Sequence, residues 1–131
     1  MPLPILSVAQ MREWESATWA TGQTEAGVIQ RVGSAVAQRA LRLTRDGDTI
    51  LILAGKGHNG DDARASSPHF EARKAQCLNI TDPAAQLGEL SSALAAPPAL
   101  VIDALFGVGL NRPLDAAWQT FINTLNAAQL C

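Results

Sequence analysis

The 131-residue chain sets ten Lys and Arg against twelve Asp and Glu, for a net charge of −2 and a pI near 5.6. No basic residues cluster as phosphate contacts require, so no nucleic-acid partner is expected. No apolar run approaches the roughly 20 residues of a membrane span, so no membrane partner is expected either. A composition of 47% hydrophobic and 17% charged residues suits one globular domain with one modest core.

In chain order, Ser7 with Gln10 three positions on reads as a capping box. It opens a helix from Val8 to about Trp19, with Met11, Trp14 and the methyl of Thr18 on one face. Gly22 breaks it. Thr24 caps a second helix to about Leu43, whose Val28, Ile29, Val32, Val36 and Leu41 are spaced for one broad apolar face. Asp46-Gly47-Asp48 is a turn. Thr49 to Ala54 is short and almost continuously apolar, as a strand covered on both faces should be.

A helix is expected from about Gly60 to Lys74, then a weak strand over Gln76 to Ile80. Asp82-Pro83 opens a third helical segment to about Ala95, because Pro suits the first helical turn. Ala99 to Leu105 reads as another buried strand. Asp115 to Ala127 is the last helix, with Trp118, Phe121, Ile122 and Leu125 inward. Strands alternating with helices imply an α/β fold with a parallel sheet and crossover helices.

About three strands make a small open sheet, and doubly wound sheets usually carry more. The expectation is a single domain over residues 1–131 whose C-terminal part is missing, or whose remaining strands come from a partner. The outer edge of Ala99–Leu105 would be open to pairing, which predicts a homodimer or some other cover. Met1-Pro2-Leu3-Pro4 has neither the basic start nor the apolar core of a secretion signal. Cys77 and Cys131 form neither a disulfide framework nor a metal spacing. Free thiols in a reducing cytoplasm are expected. Trp14, Trp19 and Trp118 read as core or interface residues, and His69 as a helix-surface residue.

Two loops leave strands at the carboxyl edge, where open parallel sheets bind ligands: Gly55–Asp62 and Phe106–Pro113. The first contains Gly55, Gly57 and Gly60 in a G-x-G-x-x-G pattern between strand and helix. Asp82 stands 22 positions past Gly60, where a dinucleotide-binding acid would take ribose hydroxyls. Asp61 and Asp62, however, would repel a pyrophosphate unless a cation lay between. Asn59, Asp62 and Asp103 fall at the same edge, and their hard oxygens suit Na⁺, K⁺, Mg²⁺ or Ca²⁺. The bland alternative is that Asn59 and Asp61 cap the helix and Asp103 is merely solvated.

At these loops the sequence resembles a known family. "AGKGHNGDDA", Ala54 to Ala63, is similar to the glycine–asparagine loop of the NAD(P)H-hydrate epimerases, the YjeF N-terminal domain. "VIDALFGVGLNRPL", Val101 to Leu114, resembles that family's D-A-L-F-G-x-G-L-x-R-P loop, and is the more specific match. "VAQMREWE" resembles its first helix, with Met11 followed by Glu15. The resemblance implies a Rossmann-like three-layer α/β/α sandwich. It implies interconversion of the R and S epimers of hydrated NADH and NADPH. His58, Asn59, Gly60, Asp61 and Asp62, with Gly107, Val108, Gly109, Leu110, Asn111, Arg112 and Pro113, would contact that small-molecule ligand. Asn59 and Asp103 would ligate a potassium ion.

Three departures stand out. Asp61 replaces the family's glycine and adds a charge beside the ligand. Arg64 replaces an apolar residue and is expected to be exposed. Pro68 falls inside the predicted helix, where an interior proline costs about 3 kcal/mol or more, so a kink or break is expected near Ser66–Ser67. The family's D-[IV]-P-S-G segment, which carries its acid–base aspartate, has no match, so no catalytic residue is assigned. Two other readings stay open: a non-catalytic nucleotide-binding or adaptor module, and a fragment of a Rossmann NAD-dependent oxidoreductase.

Overall fold

The computed structural model describes residues 2–128 and 130. The elements run α1 (Val8–Ala20), α2 (Glu25–Leu43), β1 (Thr49–Ala54), α3 (His58–Ser66), a 3₁₀ turn (Ser67–His69), β2 (Lys74–Asn79), α4 (Leu87–Ala95), β3 (Leu100–Ala104) and α5 (Ala116–Ala127). The sheet is parallel in the order β2-β1-β3, with Ile52 of β1 facing Cys77 on one side and Ile102 on the other. An incomplete α/β sandwich is therefore what this chain forms.

β1 is central and buried on both faces, and its alternating side chains feed two cores. Ile50, Ile52 and Ala54 pack with Ala37, Ala40, Ala63, Phe70 and Ala104 under α2 and α3. Leu51 and Leu53 pack with Ile80, Leu90, Leu105, Phe121 and Leu125 under α4 and α5. The uninterrupted apolar run of β1 is the sequence trace of this two-sided burial.

The expected capping box is present: Gln10 N–H donates to Ser7 Oγ and Ser7 N–H to Gln10 Oε1. Thr24 Oγ1 accepts from Gly27 N–H, and Asp115 from Trp118 N–H. The break at Ser66–Ser67 also occurs, with Pro68 inside the 3₁₀ turn, where the missing N–H costs little. Other boundaries move. α3 begins at His58 rather than Gly60, with Gly57 as its N-cap. β2 starts at Lys74, ahead of the expected Gln76. α4 starts at Leu87, because Asp82 folds the preceding residues into a turn by accepting from Ala84 and Ala85 N–H.

Two faces differ from expectation. In α1 no residue is buried, and Trp14 is 62% exposed. In α2 the buried residues are Gly33, Ala37 and Ala40, while Val28, Ile29, Val36 and Leu41 are only half-buried and Val32 is exposed. The cause is a close approach to α3: a Cβ on Gly33 would lie 2.7 Å from the Ala65 carbonyl carbon. Small residues set this helix spacing, and a hydrophobicity pattern undervalues them.

Gly33→Ala should therefore destabilise the chain by about 1–3 kcal/mol, because backbone must move. Gly88→Ala in α4 meets nothing within 4 Å and should be stabilising by up to about 1 kcal/mol. Urea unfolding midpoints of the two variants check the contrast.

Candidate functional site

The carboxyl ends of the three strands open into a cleft of ≈ 1220 Å³. Its floor is Gly55 to Gly60 with Asp62, one wall is Ile80 to Pro83, and the other is Leu105 to Arg112 with Asp115 and Trp118. Met11, Arg12 and Glu15 of α1 close over it.

Backbone proximity shapes the floor. Gly55 N–H donates to the Ala104 carbonyl at 3.0 Å, joining β1 to the end of β3. A Cβ on Gly55 would stand 2.1 Å from the Leu105 carbonyl oxygen, and one on Gly60 would stand 2.0 Å from the Gly55 carbonyl oxygen. Glycine at both positions lets α3 begin directly against the strand ends. No side chain caps α3, and its first residues, His58 to Gly60, line the cleft, where unpaired helix N–H groups favour anions.

The two loops are joined. Asn59 Nδ2 donates to the Phe106 carbonyl at 2.7 Å. The Phe106 ring meets Trp118 edge-on, with centroids 4.7 Å apart, and Trp118 meets Phe121 at 5.7 Å. These contacts seat the second loop on α5. Asn59 is thus a bridge rather than a helix cap, and its Oδ1 remains for a ligand.

His58, Asn59, Gly60, Asp62, Gly107, Val108, Gly109, Leu110, Asn111 and Arg112 all line the cleft. Pro113 lines a smaller hollow beside it. Asp61 does not line it: its carboxylate turns to Arg64, 2.6 Å away. The expected negative charge beside a ligand is therefore drawn off into an ion pair. Nor is Arg64 free at the surface, since it is half-buried and donates to the Gly55 carbonyl at 3.0 Å and to Asn79 Oδ1 at 2.9 Å. His58 Nε2 lies 3.2 Å from Glu25. His69 is exposed in the 3₁₀ turn.

Asp103 is exposed near the end of β3, outside the cleft lining, and its Oδ1 accepts from Leu105 N–H at 3.1 Å. Among the described residues, no three His, Cys, Asp or Glu side chains group as a metal site. Asn59 Oδ1 and Asp103 Oδ2 are hard donors that fit a cation such as potassium in kind. As a pair they are too few for a whole shell, and main chain, water or ligand would have to complete it.

Burial raises the Asp62 carboxyl above the usual aspartate range; Asp61 adds to this and His58 opposes it. Burial likewise raises the Cys77 thiol, against the pull of Arg64. Cys77 is therefore a poor nucleophile.

Asp82, placed by its spacing from Gly60 as a ligand-facing acid, does line the cleft, whereas Arg12, Thr81 and Pro83 escaped the sequence pattern. Met11 and Glu15 carried a signal through the resemblance of "VAQMREWE" to the family's first helix.

Comparison with known proteins shows the family. The family described as YjeF-related protein N-terminus matches residues 69–131. An NAD(P)H-hydrate epimerase of Achromobacter xylosoxidans is 37% identical over 95% of the chain and 67% of its own length. The chain belongs to the NAD(P)H-hydrate epimerase, or YjeF N-terminal, family. A Bordetella pertussis epimerase is 38% identical over 76% of the chain and 51% of its own length. One from Limosilactobacillus fermentum is 30% identical over 94% and 68%. The chain thus spans between half and about two thirds of these epimerases. No solved structure matches it.

Within this YjeF N-terminal cleft, Asp62 makes a pH prediction. Its proton is held more tightly when folded than when unfolded, so ionisation opposes folding. The penalty is absent at pH values below the unfolded aspartate range. It grows as pH rises through that range and is complete above the folded value. Asp62→Asn should stabilise the chain at about pH 7 and change nothing below about pH 3, as thermal unfolding at both pH values will show.

Proposed function

We propose that residues 1–131 act as a single NAD(P)H-hydrate epimerase domain, interconverting the R and S epimers of hydrated NADH and NADPH. One observation carries this reading: the Asn59–Phe106 hydrogen bond joins the two family-like loops into one cleft, in a chain 37% identical to a named epimerase. The cleft exceeds the roughly 300–1,000 Å³ of a drug-sized site, as a dinucleotide requires. Arg12, Lys56 and Arg112 line it and suit the phosphates, as do the first amides of α3.

The chemistry asks for orientation more than for force. The hydrate carries a hydroxyl on a ring carbon beside nitrogen. The nitrogen lone pair expels that hydroxyl, and water returns to either face. His58, Asn59, Gly60 and Asp62 hold one side of the ligand; Gly107 to Arg112 and the neighbouring Pro113 hold the other. Holding the ring and the leaving oxygen in one geometry is what such a site contributes. Asn59 and Asp103 would hold a potassium ion, which would supply a fixed positive charge to the site. Asp61 faces Arg64 and serves the loop rather than the ligand. The half-buried free thiol of Cys77 accords with action in the cytoplasm.

The test is epimerisation of separated S and R hydrates of NADPH, with and without potassium. Potassium-dependent interconversion is expected. A folded chain that binds neither hydrate would overturn the reading, and binding without turnover would reduce it to a nucleotide-binding module.

We also propose a homodimer, because β3 pairs only with β1 among the described residues and leaves an open edge. Light scattering at high concentration should report twice the chain mass, and a clean monomer would count against it.

A further inference from the structure

We propose that Arg64 is the positioning residue of the cleft, setting the distance between its floor and the Thr81–Pro83 wall and holding the Asp61 carboxylate away from the ligand. The inference rests on the functional reading above only where the ligand enters.

The geometry is continuous from floor to wall. One guanidinium nitrogen, Nη1, donates both to the Gly55 carbonyl at 3.0 Å and to Asn79 Oδ1 at 2.9 Å. The first acceptor belongs to the floor and the second to the end of β2. The Asn79 carbonyl accepts from Gln86 Nε2 at 2.8 Å. Gln86 Oε1 in turn accepts from Thr81 N–H at 2.7 Å and Asp82 N–H at 3.0 Å. Thr81 and Asp82 line the cleft.

The other nitrogen, Nη2, donates to Asp61 Oδ1 at 2.6 Å. Asp61 lies between Gly60 and Asp62, both of which line the cleft, yet is itself turned out of it. Arg64 therefore satisfies three oxygens from three places, which a planar fork can do and an ammonium does less well. Asp61 and Arg64 are also two of the three departures from the family resemblance noted in the sequence. The ion pair accounts for both departures together, since the added carboxylate arrives with its own cation.

Charge and geometry separate in a mutant cycle read by NADPH binding and by amide hydrogen exchange. Arg64→Met should weaken NADPH binding by about tenfold or more, because it frees a carboxylate beside the phosphates and loosens the floor. Asp61→Gly alone should bind about as the parent does. Asp61→Gly with Arg64→Met should recover part of the loss, and Arg64→Lys should recover less than half of it. Exchange should quicken at the hydrogen-bonded amides of the floor, Gly55 and Asp61, and of the wall, Thr81 and Asp82, together in Arg64→Met. Arg73→Met is the control. Arg73 bonds Asp46, Leu41 and Thr44 at the C-terminal end of α2, so its loss should lower the melting temperature and leave both readouts at the cleft alone.

Unchanged exchange in both segments of Arg64→Met overturns the positioning role. A double variant no tighter than Arg64→Met overturns the charge role. If the parent chain does not bind NADPH, the charge role is overturned while the hydrates decide the functional reading separately, and the exchange arm still decides what Arg64 positions.

Discussion

The whole site depends on how closely three pieces of backbone approach one another at the carboxyl edge of the sheet. Gly60 rests on the Gly55 carbonyl, and Gly55 rests on the Leu105 carbonyl, with no room for a Cβ at either position. That contact starts α3 immediately after β1 and brings its open N–H groups over the strand ends. It also holds the two loops near enough for Asn59 to reach Phe106. A larger residue at either glycine would push the helix outward, and the cleft would lose its floor and its far wall together.

Stability is unevenly distributed around this point. β1 is buried on both faces and anchors two cores, while β2 and β3 are half-exposed edges. α1 buries no residue and rests on its capping box and its lean over the cleft through Met11, Arg12 and Glu15. Few apolar contacts mean a low cost of local opening. The element covering the cleft is thus the one least tied to the rest, a pairing common where ligands must enter.

Much of the fold was legible in local pattern. β1 was readable because two-sided burial forces an unbroken apolar run. The caps at Ser7 and Thr24 were readable because an N-cap needs a short oxygen-bearing side chain. The break after Ser66 was readable from Pro68 alone. The inner face of α2 was not, because close helix packing selects Gly33, Ala37 and Ala40, and small residues carry little hydrophobic signal. Nor was the start of α4, where Asp82 spends its carboxylate on a turn and Pro83 does not begin a helix.

The site divides in the same way. Sequence by itself determined the two glycine loops, their place after strands, the family and the residue types that meet a ligand, because these depend on local backbone freedom and chain order. Only the tertiary structure decided that Asn59 bridges the loops, that Asp61 turns away to Arg64, and that α1 and the Thr81–Pro83 wall complete the cleft. These contacts join residues far apart in the chain. Whether a polar side chain faces a ligand or a neighbour depends on which partners folding brings within about 3 Å, and no local pattern encodes that distance.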